Sequence, residues 1–541
     1  MRWAKLCVAV VLTCAFGLAL TSSTLNLQIA PDVVYADGRN QGQNDRALNQ
    51  ELRARLAAAG FTGEIERKFT RRLRQSLGRP IDRKMAELGR VMWFDTGLSL
   101  GRDNTCGGCH SPTNGMGDSQ PMAIGVQNNN IVGPGRKGPR NQRRTPTVVN
   151  NALYPRLMWN SRFESLSGDP FDSSQGFSFA SPEDAAHSPF MPDPVRFSGA
   201  ENAFNGVNHL LQAQAHMPPT ELIEVGGFSG ACSDPDPVFA ANNCQFDVPG
   251  PAQPLPPVDA DGFRNEPIRQ LMLGTLNGLP TYRHLFGQVF PDVRRDNAPI
   301  DFFMFAKAIA EFEFTLVFAN APIDQFARGD QHAMTASEKR GALTFFGKAN
   351  CASCHQVGGA SNEMFSDFQE HVVGVPQLAP KFGAGTGNFP FSGPNGDEDF
   401  GREERTGTAA DRYEFRTAPL RNLAVAPAFF HNGAYTRLED AIQFHLNVIA
   451  SAAAYNPKKA GLPKDLRHVG PQVPPALIAQ SLQTPITLSK REFDDLVAFV
   501  KTGLLDERAK KANLCALIPA SLPSGAEPMV FEGCHVPRPR H

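Results

Sequence analysis

Two short stretches restrict what this chain can become: Cys106-Gly107-Gly108-Cys109-His110 and Cys351-Ala352-Ser353-Cys354-His355. Two thiols at this spacing can bond the two vinyl groups of one porphyrin, and the histidine that follows supplies an imidazole to its iron. With 10 Cys and 13 His in 541 residues, chance supplies roughly 0.004 such motifs per chain, so a pair is no accident of composition. Both motifs therefore read as haem c attachment sites. A zinc site or a redox dithiol is the alternative. The histidine beside each pair and the lack of a further Cys pair to complete a four-thiolate cage weigh against it. Cys534-His535 is not a third motif, because Phe531 stands where the other thiol would be.

The length, 541 residues, suffices for two domains with loops. A net charge of -1 gives no reason to expect a nucleic-acid partner, and 48 Gly with 44 Pro imply long ordered loops. The N-terminus reads as a signal peptide over residues 1–36: Arg2 and Lys5, an apolar run from Leu6 to Leu20, and a small-residue cleavage site at Val34-Tyr35-Ala36. The run is short for a membrane span, and an uncleaved anchor is the alternative. Export to the periplasm suits haem c and permits disulfides. Removal of Cys7 and Cys14 leaves eight cysteines, four of them in the haem motifs. The other four fall into two local pairs, Cys232 with Cys244 and Cys515 with Cys534, expected as disulfides that pin a loop and the tail, with free thiols as the alternative.

Periodicity places helices around the motifs. Residues 37–80 are polar and Arg-rich, read as one helix from Asp45 to Ala59 and a linker. Met85, Leu88 and Met92 mark an amphipathic helix over Asp82–Phe94 that runs into the first motif. Ile300–Ala319 is strongly apolar with Asp301 as its cap, and Lys307, Glu311 and Glu313 argue against a membrane span. Thr335-Ala336-Ser337-Glu338 has capping-box form and opens the helix that delivers the second motif; Ser489-Lys490-Arg491-Glu492 opens another, to about Leu504. A helix-then-CxxCH unit thus occurs twice. The basic cluster Arg136, Lys137, Arg140, Arg143 and Arg144 reads as a solvated loop, or else as groups near haem propionates or a docking rim.

Further stretches carry a resemblance. Arg144-Thr145-Pro146-Thr147-Val148-Val149-Asn150 is followed by Trp159-Asn160-Ser161-Arg162. Phe415-Arg416-Thr417-Ala418-Pro419-Leu420-Arg421-Asn422 is followed by Pro427-Ala428-Phe429-Phe430-His431-Asn432-Gly433. With the haem motifs, these stretches resemble the bacterial di-haem cytochrome c peroxidase family, which includes the MauG-like oxidases. The match covers roughly residues 80–505 and is looser over an insertion at 164–265. Two of the four positions at 159–162 depart from the family's Trp-Asp-Gly-Arg.

The resemblance implies a mainly α fold: two cytochrome c-like haem domains facing each other, with long loops, residues 37–325 and 326–541. It implies that Trp159 lies between the haems. It assigns Gln214 and Glu224, ten residues apart, to the face where peroxide binds, with Glu221 as rival carboxylate and a surface glutamate as the bland alternative. The chemistry needs such a pair: a carboxylate can move a proton between the two peroxide oxygens while an amide orients them. His445 stands where relatives place a methionine ligand to the second iron, so that haem is expected at lower potential; an ordinary packed histidine is the alternative. Carbonyl oxygens of Thr417 and Pro419 would join an Asn in holding Ca²⁺. Asn141 is chosen for that role, although direct alignment puts Arg144 there.

The family's loop often brings a distal histidine to the first haem. Gly133-Pro134-Gly135 occupies that place here, so an open, five-coordinate first iron is expected, with His209 or His216 as possible substitutes. The activity implied is reduction of hydrogen peroxide with electrons from a small redox protein, a cytochrome c or a cupredoxin. MauG-like oxidation of a partner protein and a non-enzymatic electron carrier are the alternatives. Members of the family are often dimeric, which allows a homodimer.

Overall fold

The computed structural model describes residues 38–179, 206–247, 253–260, 262–383 and 391–535. The expected signal peptide, Cys7, Cys14 and the middle of the 164–265 insertion lie outside the described residues. Helices dominate and strands are few and short. Among the described residues no helix is long and apolar enough to cross a membrane.

From Ala47 onward the chain forms one compact unit, in which separate apolar clusters surround the two motifs. The first gathers Met85, Leu88, Met92, Trp93 and Phe94 of the Arg83–Phe94 helix, Phe305, Ile309 and Phe312 of the Phe302–Phe314 helix, and Met529 and Phe531 of the tail, with Cys106 packed against it. The second gathers Ala342 and Phe345 of the Ala336–Phe346 helix, Leu438, Ala441 and Phe444 of the Leu438–Leu446 helix, and Leu496, Phe499 and Val500, with Cys351 packed against it.

The two clusters are built alike. Asp82 caps the Arg83–Phe94 helix through Lys84 N and Met85 N, and Asp301 caps Phe302–Phe314 through Met304 N. Thr335 with Glu338 and Ser489 with Glu492 close true capping boxes on Ala336–Phe346 and Lys490–Ala498. In each cluster the helix before the motif crosses a later helix at a glycine. A Cβ on Gly89 would lie 1.8 Å from Ala308 O, and one on Gly341 would lie 1.9 Å from Asp495 O. Backbone rather than a movable side chain blocks the space, so only glycine permits either crossing.

The structure corrects the reading of residues 37–80. The first helix begins earlier, spanning Gly38–Ala58, and the supposed linker holds a second helix, Ile65–Leu77. Its five basic residues made it look like linker, yet Ile65, Phe69 and Leu73 recur every four residues and are buried. Both expected disulfides are formed, Cys232–Cys244 and Cys515–Cys534, and the four motif cysteines take part in neither. The tail packs back on the body: Val530–Phe531 pairs in parallel with Ile131–Val132, Glu532 accepts from Gly135 N at 2.6 Å, and Phe531 meets Phe94 edge-on at 5.7 Å.

Replacing Gly341 with alanine should lower stability by about 2 kcal/mol or more, read as a drop in the thermal midpoint of the holoprotein, whereas Gly274→Ala, inside a helix with nothing within 4 Å of the added Cβ, should cost nothing. Equal losses at both positions would contradict the crossing argument.

Candidate functional site

The first motif forms a single helical turn, Cys106–Cys109, preceded by Thr105, whose Oγ1 donates to Trp93 O at 2.6 Å. His110 gives its Nδ1 proton to Pro146 O at 2.9 Å. That bond fixes the tautomer and leaves the Nε2 lone pair available to a metal. Burial pushes the His110 pKa down to about 4, so the ring is neutral, as a ligand must be.

A cavity of about 140 Å³ opens beside this turn, walled by Cys106, Cys109, His110, Trp159, Gln214, Glu224 and Glu313 among others. Gln214 and Glu224 thus reach the same space as the motif. Burial, helped by the charge of Glu221 and opposed by Arg162, pushes the Glu224 carboxyl up to about 8. Glu221, the rival, is 1% exposed and accepts from Arg162 Nη2 at 2.5 Å; it does not line the cavity. The Glu224 backbone is held from behind: Asn104 Nδ2 donates to Glu224 O at 2.6 Å, while Asn104 Oδ1 accepts from Arg136 Nη2 at 2.8 Å.

Sequence reasoning missed Glu313. It lines the cavity, accepts from Asn151 Nδ2 at 2.6 Å, and is pushed by burial up to about 8. The signal was available: Phe305, Ile309 and Glu313 recur every four residues on one helix face, and all three reach the cavity.

Neither histidine offered as a distal substitute enters this space. His209 gives its Nε2 proton to Ala152 O at 3.1 Å and accepts from Leu211 N at 3.1 Å, and His216 gives its Nδ1 proton to Gln212 O at 3.0 Å. Neither is part of the cavity wall.

The second cavity, about 230 Å³, is walled by Cys351, Cys354, His355, His371, His431 and His445 among others. His355 gives its Nδ1 proton to Phe365 O and His445 gives its own to Ala441 O, each at 2.9 Å. The two ring centroids lie 6.4 Å apart. An iron bonded at about 2.0 Å to each Nε2 would separate the centroids by roughly that distance, so the gap between the rings can take one metal ion.

Trp159, Arg144 and Arg416 are the residues common to both cavity walls. Trp159 Nε1 donates to Arg144 O at 2.7 Å, and Trp159 O accepts from Arg416 N at 2.7 Å. Backbone on either side therefore fixes the indole between the two motifs.

The residues present fit two haems c. Four free thiols stand in two pairs, each beside an imidazole with its Nδ1 engaged. Buried donors without protein partners, Trp93 Nε1 and Arg144 Nε, line the walls where a haem edge would lie. The zinc alternative finds no support at the first motif. Among the described residues the one group of Cys, His and carboxylates with metal-ligand reach is Cys354, Asp367 and His371, whose thiol belongs to the second motif.

The basic cluster is not a solvated loop. Arg136, Arg140 and Arg144 are buried. Arg136 donates to Ile124 O, Ile131 O and Gly125 O; Arg140 pairs with Asp465; Arg143 holds Asp399 at 2.6 Å and also Glu404. Lys137 alone of the five is exposed.

The nominated calcium ligands do not share one cavity. Asn141 Oδ1 accepts from Gln142 N at 2.7 Å, and Thr417 O accepts from Ser366 Oγ at 2.7 Å and from Arg416 Nη1 at 3.3 Å. Asn141 lines the first cavity and Thr417 the second. Pro419 lines neither. Two of the three nominated oxygens thus already accept hydrogen bonds, that of Thr417 from a guanidinium.

Comparison with known proteins agrees with this geometry. Residues 83–332 match the family model described as di-haem cytochrome c peroxidase. The chain is 25% identical over 365 residues to cytochrome c551 peroxidase of Pseudomonas aeruginosa, covering 68% of this chain and 72% of that one. It is 25% identical over 423 residues to methylamine utilization protein MauG of Methylorubrum extorquens, covering 78% and 79%. A solved structure described as a MauG-like protein associated with microbial copper homeostasis aligns at 20% identity and a TM-score of 0.48, covering 80% of this chain and 91% of that one. With its two CxxCH turns, paired histidines and shared tryptophan, the chain is similar to the bacterial di-haem cytochrome c peroxidases, whose family model its residues 83–332 match.

Proposed function

We propose that this protein is a periplasmic peroxidase that reduces hydrogen peroxide to water with electrons from a small redox protein, a cytochrome c or a cupredoxin. The observation that carries the reading is the asymmetry of the two cavities. The first sets Glu224 and Gln214 beside Cys106, Cys109 and His110, with no second histidine among the described residues of its wall. The second sets His445 opposite His355 at a separation that saturates an iron. We place the junction between a peroxidatic half, residues 37–325, and an electron-transfer half, residues 326–541, near residue 325.

When bound, the haems supply an iron for peroxide and the electrons that break the O–O bond. His110 would ligate the first iron; His355 and His445 would ligate the second. Glu224 takes the proton from the peroxide oxygen that approaches the metal and returns it to the oxygen that leaves. Gln214 orients the substrate by hydrogen bonding. Trp159 offers its ring to both cavities, which is the position an electron relay needs. Glu313 shares the first cavity with a pKa raised by burial to about 8, as for Glu224, and is the second carboxyl placed for this proton transfer. Calcium takes no part in this reading.

The similarity to a MauG protein, 25% identical over 423 residues, favours one second reading: oxidation of a tryptophan or tyrosine on a partner protein. A covalent change in a partner on adding peroxide, without turnover of a small donor, would support it instead.

Glu224→Gln should lower steady-state peroxide reduction by about 10²–10⁴-fold while both haems remain attached. Because the carboxyl must be unprotonated to accept the peroxide proton, and its pKa is about 8, native turnover should rise as pH climbs through that value, and Glu224→Gln should flatten the rise. A rise that survives Glu224→Gln and disappears in Glu313→Gln would transfer the acid–base role to Glu313.

The oxidised protein as isolated should show one high-spin and one low-spin iron by electron paramagnetic resonance. Two low-spin irons would contradict an open first site.

A further inference from the structure

Two buried guanidiniums lie between the cavities without an ion-pair partner among the described residues. Arg144 is 8% exposed and Arg416 5%. Their bonds go to backbone carbonyls: Arg144 Nη2 to Asp118 O at 3.3 Å, Arg416 Nε to Met158 O at 2.9 Å and Arg416 Nη1 to Thr417 O at 3.3 Å. Arg144 Nε has no partner.

The nearest carboxylates are committed elsewhere. Asp118 acts on Arg144 at a distance, but its own oxygens accept from Gln120 N at 2.8 Å and Thr145 N at 2.9 Å. Glu370 acts on Arg416 but is held by Arg156 at 2.8 Å and Arg402 at 2.9 Å. Burial accordingly pulls the Arg416 pKa down to about 10 and that of Arg144 below its usual value. A buried charge left without a counter-ion is costly, and folds keep one where an anion will arrive.

Both side chains line both cavities. A haem c brings two propionate carboxylates into each cavity it fills, and a planar guanidinium binds carboxylate in a fixed geometry. Arg144 also stands at the position where alignment with the family places a metal-ligating Asn, and Arg416 donates into the Thr417 carbonyl nominated as another ligand. A divalent cation there would meet two positive charges and an occupied oxygen.

We propose that Arg144 and Arg416 form a built-in cationic pair that binds haem carboxylates from both cavities and takes the place of the divalent cation implied by the family resemblance. The proposal rests on the reading that both motifs carry haem, and not on the reaction those haems perform. Through its neighbouring carboxylates, each cation favours the reduced, less positive state of the iron. Since both residues face both cavities, the pair acts on both haems together.

The test uses the full holoprotein without peroxide, so that its failure is distinct from failure of the peroxidase reading. Chelation with EGTA, or addition of calcium chloride, should leave the visible and electron paramagnetic resonance spectra and both midpoint potentials unchanged. In Arg144→Gln both potentials should fall, with calcium failing to restore them, and Arg144→Lys should remain closer to the native protein. Arg416→Gln carries the same expectation and serves if Arg144→Gln does not take up two haems. A native spectrum or potential that changes on chelation would overturn the proposal, as would glutamine variants in which neither potential moves or only one does.

Discussion

Each of three imidazoles surrenders its Nδ1 proton to a backbone carbonyl: His110 to Pro146, His355 to Phe365, His445 to Ala441. The rest of the architecture depends on that simple bond. It selects the tautomer, stops ring rotation and commits Nε2 to the cavity. The carbonyls come from different kinds of structure. Pro146 and Phe365 belong to loops downstream of their motifs, whereas Ala441 lies one helical turn before His445 in its own helix. Two of the ligands therefore depend on loop placement, and the long Gly- and Pro-rich segments must be rigid. Burial achieves this: the loop at 118–126 is buried almost throughout, and its backbone pairs with Thr145, Arg143 and Ile223.

Charge between the cavities follows a second rule. Carboxylates there are either paired tightly or held neutral. Glu221 is matched by Arg162 at 2.5 Å, Asp324 by Arg421 at 2.7 Å and Asp399 by Arg143 at 2.6 Å. Glu224 and Glu313 lack such partners, and burial raises both to about 8. Carboxyl groups near neutrality are what proton transfer at neutral pH requires, since they can give a proton as readily as take one. The same wall that leaves carboxyls protonated leaves Arg144 and Arg416 without counter-ions. Neutral acids on one side and bare cations on the other make the space between the motifs strongly attractive to the anionic edge of a porphyrin.

What could be read from the sequence was local chemistry. The CxxCH spacing is dictated by the distance between two vinyl groups, and capping boxes by two hydrogen bonds three residues apart. Such constraints act within a few residues and survive any tertiary context. The Ile65–Leu77 helix was lost because its charged residues outnumber the three buried positions that fold it. Arg136 and Arg140 were taken for solvated groups because nothing near them in sequence announces the carbonyls of Ile124, Ile131 and Met122 that receive them. Glu313 was used as an argument about membranes, although its register with Phe305 and Ile309 pointed it inward. The nominated calcium ligands are of the opposite kind. They were carried over position by position, whereas the state of each oxygen depends on Ser366, Gln142 and Arg416, which no local motif predicts.

The proposed openness of the first site rests on a feature remote from the cavity. Gly133-Pro134-Gly135 offers no atom able to ligate iron, but a loop of such residues would ordinarily be free to move and admit another ligand. Here it is held from outside. Val530 N donates to Asn130 O at 3.0 Å and Glu532 N to Val132 O at 2.9 Å, so the tail adds a strand to the loop. The Glu532 carboxylate then accepts from Gly135 N, and the Cys515–Cys534 disulfide ties that strand to the preceding turn of chain. From the held loop Arg136 reaches inward to Asn104, and Asn104 to the carbonyl of Glu224. Residues from the far end of the chain thus hold this loop and, through Arg136 and Asn104, the backbone of the carboxyl at the edge of the first cavity.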